Sequence, residues 1–312
     1  MRVLCVVGPT ASGKTKMGVA LAKRFNGEVV SVDSMQIYRG MVIGTAAPTV
    51  EEMEGIPHHM IGVADPRENW SVAKYAEQAD ACVQDILRRS KLPVLVGGTG
   101  LWLDALVRGN DFAPGAQGEE TRIALQKRLE DEGAAALLEE LQQIDPETAE
   151  RLHLKDEKRI LRALEVYAET GETITAHNQK TQEKPPKYEA LYIGLDFADR
   201  QDLRERIDRR VDGMVQQGLL REVRELLAAG LPRDATALQA IGYKQFLGVS
   251  EGLLTEQQAV EEIKLRSRQY AKRQLTWFRR NRDIFWIYWK KETDFSAGLQ
   301  NATEYLTACG LR

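Results

Sequence analysis

Apolar residues in this chain come as short continuous runs separated by longer stretches of helical spacing, the pattern of an α/β protein whose parallel strands are buried on both faces. Val3 to Val7 is the first run, and Met17, Ala20, Leu21 and Phe25 follow it at helical spacing. Glu28 to Val32 reads as a second short strand. Val72, Tyr75, Ala76, Ala79, Val83, Ile86 and Leu87 predict a helix over Ser71 to Arg89 with Ser71 as its cap. Leu92 to Val96 is a third strand, ending in Gly97-Gly98-Thr99-Gly100 before another helix. From about Pro114 the strand signals stop. Glu119 to Thr170 is a series of helical segments rich in Ala, Leu and Glu, one of them starting at Asp145-Pro146. Lys158, Arg159 and Arg162 open the last of these, with Ile160, Leu161, Leu164 and Val166 as its apolar side. The polar run Asn178 to Lys187 reads as a connector back to a strand at Ala190 to Leu195. Helices over Asp199 to Leu227 and a last strand at Phe285 to Trp289 follow.

The first strand and helix are joined by Gly8-Pro9-Thr10-Ala11-Ser12-Gly13-Lys14-Thr15, which matches the phosphate-loop pattern G-x-x-x-x-G-K-[ST] in letters and in context. Glycines let successive backbone amides turn toward one anion, and the helix N-terminus adds partial positive charge. Lys14 can reach the terminal phosphate oxygens, and the Thr15 hydroxyl is placed to bind Mg²⁺. The expected fold is therefore α/β: a phosphate-loop NTPase-like parallel sheet flanked by helices (residues 1–113 and 190–312), with an all-helical insertion at 114–189. Asp33, at the carboxyl end of the second strand, reads as a helix cap, a metal carboxylate or a general base facing the phosphates. Thr99, in a second Gly-rich turn on the same sheet edge, reads as a further phosphate ligand. The pair His58 and His59 in a turn-rich stretch reads more readily as structural than as catalytic.

Composition narrows the rest. Hydrophobic residues make up 43% and charged residues 29%, enough to bury one large or two modest cores, and no run is long enough to span a membrane. The first residues pattern as a strand rather than a secretory leader, so a cytoplasmic protein is expected. Three scattered cysteines and four histidines argue against a disulfide framework or a structural zinc site. The net charge of −3 hides a local asymmetry: Lys264 to Arg282, KLRSRQYAKRQLTWFRRNR, contains no acidic residue. As a helix it sets Arg266, Arg273 and Arg280 seven apart on one face and Ile263, Tyr270 and Trp277 on another, and the basic stripe suits contact with a phosphate backbone.

Two functions from different classes fit these features. One is a small-molecule kinase with ATP on the phosphate loop and Asp33 activating an acceptor hydroxyl. The other is a transferase that breaks the bond to a diphosphate leaving group and acts on nucleic acid. A GTPase-like switch is disfavoured because no guanine-reading N-K-x-D is present. GPTASGKT, DSMQIYRGMVIGTAAP, GIPHHMIG, LPVLVGGTGLW, EKRILRALEVY, RERIDRRVDGMVQQGLLREV, AIGYKQF and YAKRQLTWFRR occur in this order. In that succession the chain resembles the tRNA dimethylallyltransferases from Val3 to about Arg280, in their bacterial form. It departs from the family pattern at Ala47, Trp102 and Glu157-Lys158.

The resemblance implies transfer of a dimethylallyl group from its diphosphate to N6 of adenosine 37 of tRNA, with release of pyrophosphate. The phosphate loop, Gly8 to Thr15, then holds a prenyl diphosphate. Lys14, Thr99, Arg206 and Mg²⁺ on Thr15 neutralise the leaving group, and Asp33 takes a proton from the adenine amine. Asp33, Ser34, Met35, Gln36 and Thr99 line the entry of a flipped base. The insertion, through Arg122, Glu157, Lys158, Arg159, Ile160 and Leu161, grips the anticodon stem-loop. Arg266, Arg273 and Arg280 add backbone contacts, and the enzyme is expected to act as a monomer.

Overall fold

The computed structural model describes residues 1–110 and 119–311. Six strands are present: β1 (Arg2–Val7), β2 (Gly27–Val32), β3 (His58–His59), β4 (Leu92–Gly97), β5 (Glu189–Phe197) and β6 (Ile284–Trp289). The helices are α1 (Lys14–Arg24), α2 (Val50–Met53), α3 (Val72–Arg88), α4 (Gly100–Arg108), α5 (Glu119–Ile144), α6 (Pro146–Glu150), α7 (Glu157–Thr170), α8 (Ile174–Glu183), α9 (Arg200–Gln217), α10 (Leu219–Ala228), α11 (Tyr243–Ser250), α12 (Glu256–Phe278) and α13 (Phe295–Ala308), with a short 3-10 turn at Thr236–Gln239. The strands form one parallel sheet in the order β3-β2-β4-β1-β5-β6. From β1 the chain steps two places out to β2, returns to β4 between them, then crosses to β5 and β6 on the other side. A reversal of this kind opens a crevice at the carboxyl ends of the central strands.

Strict alternation along β1 divides the core into two layers. Val3, Cys5 and Val7 join Val30, Val32, Tyr75, Leu103 and Phe278 on one face, and Leu4 and Val6 join Met17, Leu21, Ile193, Leu203 and Leu306 on the other. Both faces being covered explains why β1 and β4 read as unbroken apolar runs.

The chain divides into two compact units, Met1–Gly109 with Lys187–Arg312, and Asn110–Pro186. The expected boundary at 113/114 lies outside the described residues, and the return boundary falls at Lys187 rather than 190. The second unit is helical, with a small core of Leu125, Leu137, Leu141, Ala149, Ile160, Ala163 and Leu164. Asp145 caps α6 by accepting from the Thr148 amide at 3.1 Å, and ties in α8 by accepting from the Thr175 amide and hydroxyl at 3.1 and 2.6 Å.

Three local expectations need correction. His58 and His59 are not in a turn but form the edge strand β3, pairing with Val29 and Val30. The polar run from Asn178 is helical as far as Glu183, because Thr173 caps α8 through the Ala176 amide at 3.1 Å. The basic helix ends at Phe278, so Arg280 lies in the turn beyond it.

Candidate active site

The phosphate loop is held from outside so that its amides stay open inside. Trp289 Nε1 donates to the Ser12 carbonyl at 2.9 Å and Arg206 Nε to the Ala11 carbonyl at 3.2 Å. Gly13 caps α1 at a φ of 89° with no side-chain bond. At that angle a Cβ would be strained. Among the described residues, the Gly13, Lys14 and Thr15 amides have no partner within the protein, and they sit at the positive end of an eleven-residue helix. The Ser12 hydroxyl is buried and likewise unpartnered. Lys14 Nζ donates to the Pro9 carbonyl at 2.6 Å. Crowding by protein atoms, reinforced by the Arg210 charge and opposed by Asp33, lowers the Lys14 pKa from 10.5 to about 7. A site that makes its own ammonium this uncomfortable is short of negative charge.

The neighbouring strand ends supply the other groups. Asp33 follows β2, and its Oδ1 accepts from the Met35 and Gln36 amides at 2.8 and 3.3 Å. This Asx turn fixes the carboxylate through Oδ1, while no hydrogen bond among the described residues engages Oδ2. Thr99 opens α4, and its hydroxyl accepts from the Ser34 amide at 3.3 Å, linking the β2 and β4 turns. Gln36 is spent internally, donating to the Thr45 and Ala46 carbonyls at 3.2 Å and accepting from Ser31 at 2.9 Å. Met35 packs against the core, leaving Ser34 as the half-buried polar member of that turn.

The same loop is fastened by Glu222 of α10. Its buried carboxylate accepts from the Val42, Ile43 and Gly44 amides at 3.0, 2.8 and 3.1 Å and from the Tyr243 hydroxyl at 2.5 Å. At the opposite sheet edge, buried Glu28 meets Arg89, Lys91 and His59, and the Arg89 contact above all holds its carboxyl well below the usual range. His59 is thereby a structural partner, and His58 bonds the Ile56 carbonyl at 2.8 Å.

On α9 the arginines divide by role. Arg206 stacks on Phe197 and supports the loop backbone, while Arg209 is exposed. Arg210 interacts with both Lys14 and Asp33, and burial pulls its pKa down while Asp33 and Glu52 hold it up. Arg210, rather than Arg206, is the guanidinium coupled electrostatically to both groups.

Helix α12 turns its aromatic side toward the Thr99 turn and α4. Tyr270 approaches Thr99 and Gln274, and burial followed by the Asp33 charge pushes its hydroxyl up to about 12. Trp277 Nε1 donates to Asp104 of α4 at 2.9 Å. The basic side is less bare than its sequence implies, since acids from elsewhere reach it. Arg268 pairs with Asp208 at 2.6 Å, Lys264 with Asp212 at 2.7 Å and Arg279 with Asp196 at 3.0 Å. Arg266, Arg273 and Arg280 are all exposed. Arg266 reaches Glu262 at 3.3 Å, and Arg273 and Arg280 lie over the rings of Tyr270 and Trp277.

In the second unit Arg122, Glu157, Lys158 and Arg159 are exposed and Leu161 is half-buried. Ile160 is sealed in that unit's core, so its side chain packs and does not face a partner. Gln274 and Glu222 were not singled out by motif reading, and Tyr270 was read only as part of an apolar face of its helix. The available signal for Gln274 was a polar residue on the apolar side of α12, beside Ala271, Leu275 and Phe278.

A parallel sheet with an open phosphate loop after β1, a carboxylate in the turn after β2 and a hydroxyl in the turn after β4 is a phosphate-loop protein built for group transfer. A family model described as IPP transferase matches residues 36–281, and one described as isopentenyl transferase matches 1–65. The tRNA dimethylallyltransferase of Caldanaerobacter subterraneus is 45% identical over 308 residues, 98% of either chain. The full-length tRNA isopentenylpyrophosphate transferase of Bacillus halodurans superposes with a TM-score of 0.73 at 40% identity, covering 98% of this chain and 96% of that one. A eukaryotic dimethylallyltransferase acting on tRNA gives 0.80 at 30% identity, covering 98% and 77%. The chain belongs to the IPP transferase family, the tRNA dimethylallyltransferases.

Proposed function

We propose that this enzyme transfers a dimethylallyl group from dimethylallyl diphosphate to N6 of adenosine 37 in tRNA. The observation that carries the reading is the single crevice in which open amides, Lys14 and Arg210 face Asp33 and Thr99. The diphosphate binds the Gly13, Lys14 and Thr15 amides. As the N6 lone pair attacks the first carbon of the dimethylallyl group, the carbon–oxygen bond breaks and its electron pair leaves on pyrophosphate. Lys14, Arg210 and the Thr99 hydroxyl stabilise that growing charge, and Arg206 holds the loop that presents the amides. Asp33 Oδ2 accepts the proton lost from N6. Tyr270, set beside Thr99, helps keep water from the electrophilic carbon.

Mg²⁺ fits the donors present. Among the described residues no cluster of three or more metal-binding side chains exists. A hard ion held by the Thr15 hydroxyl and by phosphate oxygens needs no such cage. Bound there, it would screen the leaving group's charge. The exposed cations of the Asn110–Pro186 unit, Arg122, Lys158 and Arg159, suit the anticodon stem-loop, and the exposed Arg266, Arg273 and Arg280 suit tRNA backbone phosphates. No described helix is long and apolar enough to cross a membrane, in keeping with action on tRNA in the cytoplasm. The test is incubation with unmodified tRNA and labelled dimethylallyl diphosphate, beside labelled ATP with small acceptors. Label in tRNA is expected; phosphate transfer from ATP without it would favour the kinase reading.

A further inference from the structure

Gln274 lies on the buried side of α12 and spans the two anion-binding turns. Its Oε1 accepts from the Thr10 amide at 2.8 Å and its Nε2 donates to the Gly98 carbonyl at 3.0 Å. Those groups belong to the loops after β1 and β4, which carry Lys14 and Thr99. Space for the strut is reserved in the backbone: a Cβ at position 98 would stand 2.1 Å from Gln274 Nε2. The glutamine carboxamide offers a donor and an acceptor on one planar group that stays neutral at every working pH, and asparagine is one carbon shorter. The strut also takes the Thr10 amide out of the pool available to the diphosphate.

We infer that Gln274 is a positioning residue that sets the gap between the phosphate loop and the Thr99 turn, so that both sides of the crevice meet one leaving pyrophosphate. The inference rests on the prenyl-transfer reading for its kinetic effect, but not for its geometry. Ground-state diphosphate binding draws on amides at the α1 terminus and survives a small shift of the Thr99 turn. Transition-state stabilisation needs both sides in register and does not. Loss of the strut therefore lowers kcat by about 100-fold while the KM for dimethylallyl diphosphate moves by less than about 3-fold.

Gln274→Met removes both bonds at similar volume, and Gln274→Glu keeps the acceptor toward Thr10 but sets a carboxylate against the Gly98 carbonyl. Protonated, that carboxyl regains a donor. A carboxyl with an ordinary pKa of about 4.3, raised by burial, makes the Gln274→Glu to wild-type kcat ratio climb as pH falls from about 8 to 6. The charged and titratable groups around the strut are Tyr270 and Arg273 on α12, Lys14 of the phosphate loop and Asp33 beyond β2; at saturating diphosphate Lys14 is charged in both proteins, so the kcat ratio there reports the new carboxyl. Independently of turnover, exchange of the Thr10 amide hydrogen, followed by NMR, should be faster in Gln274→Met. Wild-type kcat in Gln274→Met, unchanged Thr10 exchange, or a loss confined to the KM for tRNA would each overturn the inference. If Gln274→Met does not fold, a flat pH ratio for Gln274→Glu does so. A wild-type enzyme that labels no tRNA would sink the prenyl-transfer reading instead, leaving the exchange result to judge the strut.

Discussion

Lys14 offers the sharpest quantitative prediction, because the structure makes the free site pay electrostatically for a charge that only the diphosphate can balance. With a pKa of about 7 in the free protein, chiefly from burial and then from Arg210, roughly one Lys14 in ten is protonated at pH 8. Binding a diphosphate restores the ammonium, so about 0.9 proton should be taken up per site at pH 8, where the terminal phosphate is itself ionised. Affinity accordingly falls up to about tenfold per pH unit above 7, equivalent to about 1.4 kcal/mol per unit. The same shift has a sign for folding. Between about pH 7 and 10.5 the unfolded chain binds the proton that native Lys14 releases, so stability of the free protein rises with pH through that window, and the full cost is felt below it. Calorimetry with dimethylallyl diphosphate, without tRNA or Mg²⁺, in buffers of different ionisation enthalpy counts the protons. Lys14→Met should abolish the uptake. Arg210→Gln, which removes the second cause, should shrink it. Equal heats in all buffers for the wild-type enzyme at pH 8 would show that Lys14 is already charged and refute the reasoning.

Further predictions test the other parts. Asp33→Asn keeps the shape but not the proton acceptor, so kcat should drop at least about 100-fold while tRNA affinity stays within a few-fold, as single-turnover rates and filter binding would report. Replacing Arg266, Arg273 and Arg280 with Gln should flatten the log–log salt dependence of tRNA binding by up to about 2, at roughly 0.7 to 0.9 per lost phosphate contact. An unchanged slope with a lowered Tm would make these residues scaffold. Glu222→Ala strands three amides and the Tyr243 hydroxyl, so urea unfolding should show a loss of about 3 kcal/mol or more. A Tm within a degree of wild type would contradict the fastener role.

Legibility followed the range of the interactions. β1, β2 and β4 were readable because burial on both faces forces apolar runs, and β5 and β6 because their apolar and aromatic residues are concentrated in one stretch, whereas β3 is two residues long and exists through backbone pairing with β2. Half of α8 was hidden by its polar sequence, its start being set by one cap at Thr173. The phosphate loop was legible because its chemistry is local: glycine dihedrals, a helix start and one lysine at fixed spacing. Gln274 was not, since its partners Thr10 and Gly98 lie 264 and 176 residues away in sequence. The acid-free segment around Arg266 to Arg280 misled for the same reason, as Asp208, Asp212 and Asp196 come to its flanks from α9 and β5.

The central claim is that the crevice joins a dimethylallyl carbon to one adenine amine of tRNA. Its most direct measurement is mass spectrometry of nuclease fragments and nucleosides from unmodified tRNA treated with the enzyme and dimethylallyl diphosphate. The account predicts one dimethylallyl addition, on N6 of the adenosine at position 37, matched by one pyrophosphate released, and its disappearance with Asp33→Asn. Addition at another nucleotide, or pyrophosphate release with unmodified tRNA recovered, would contradict it.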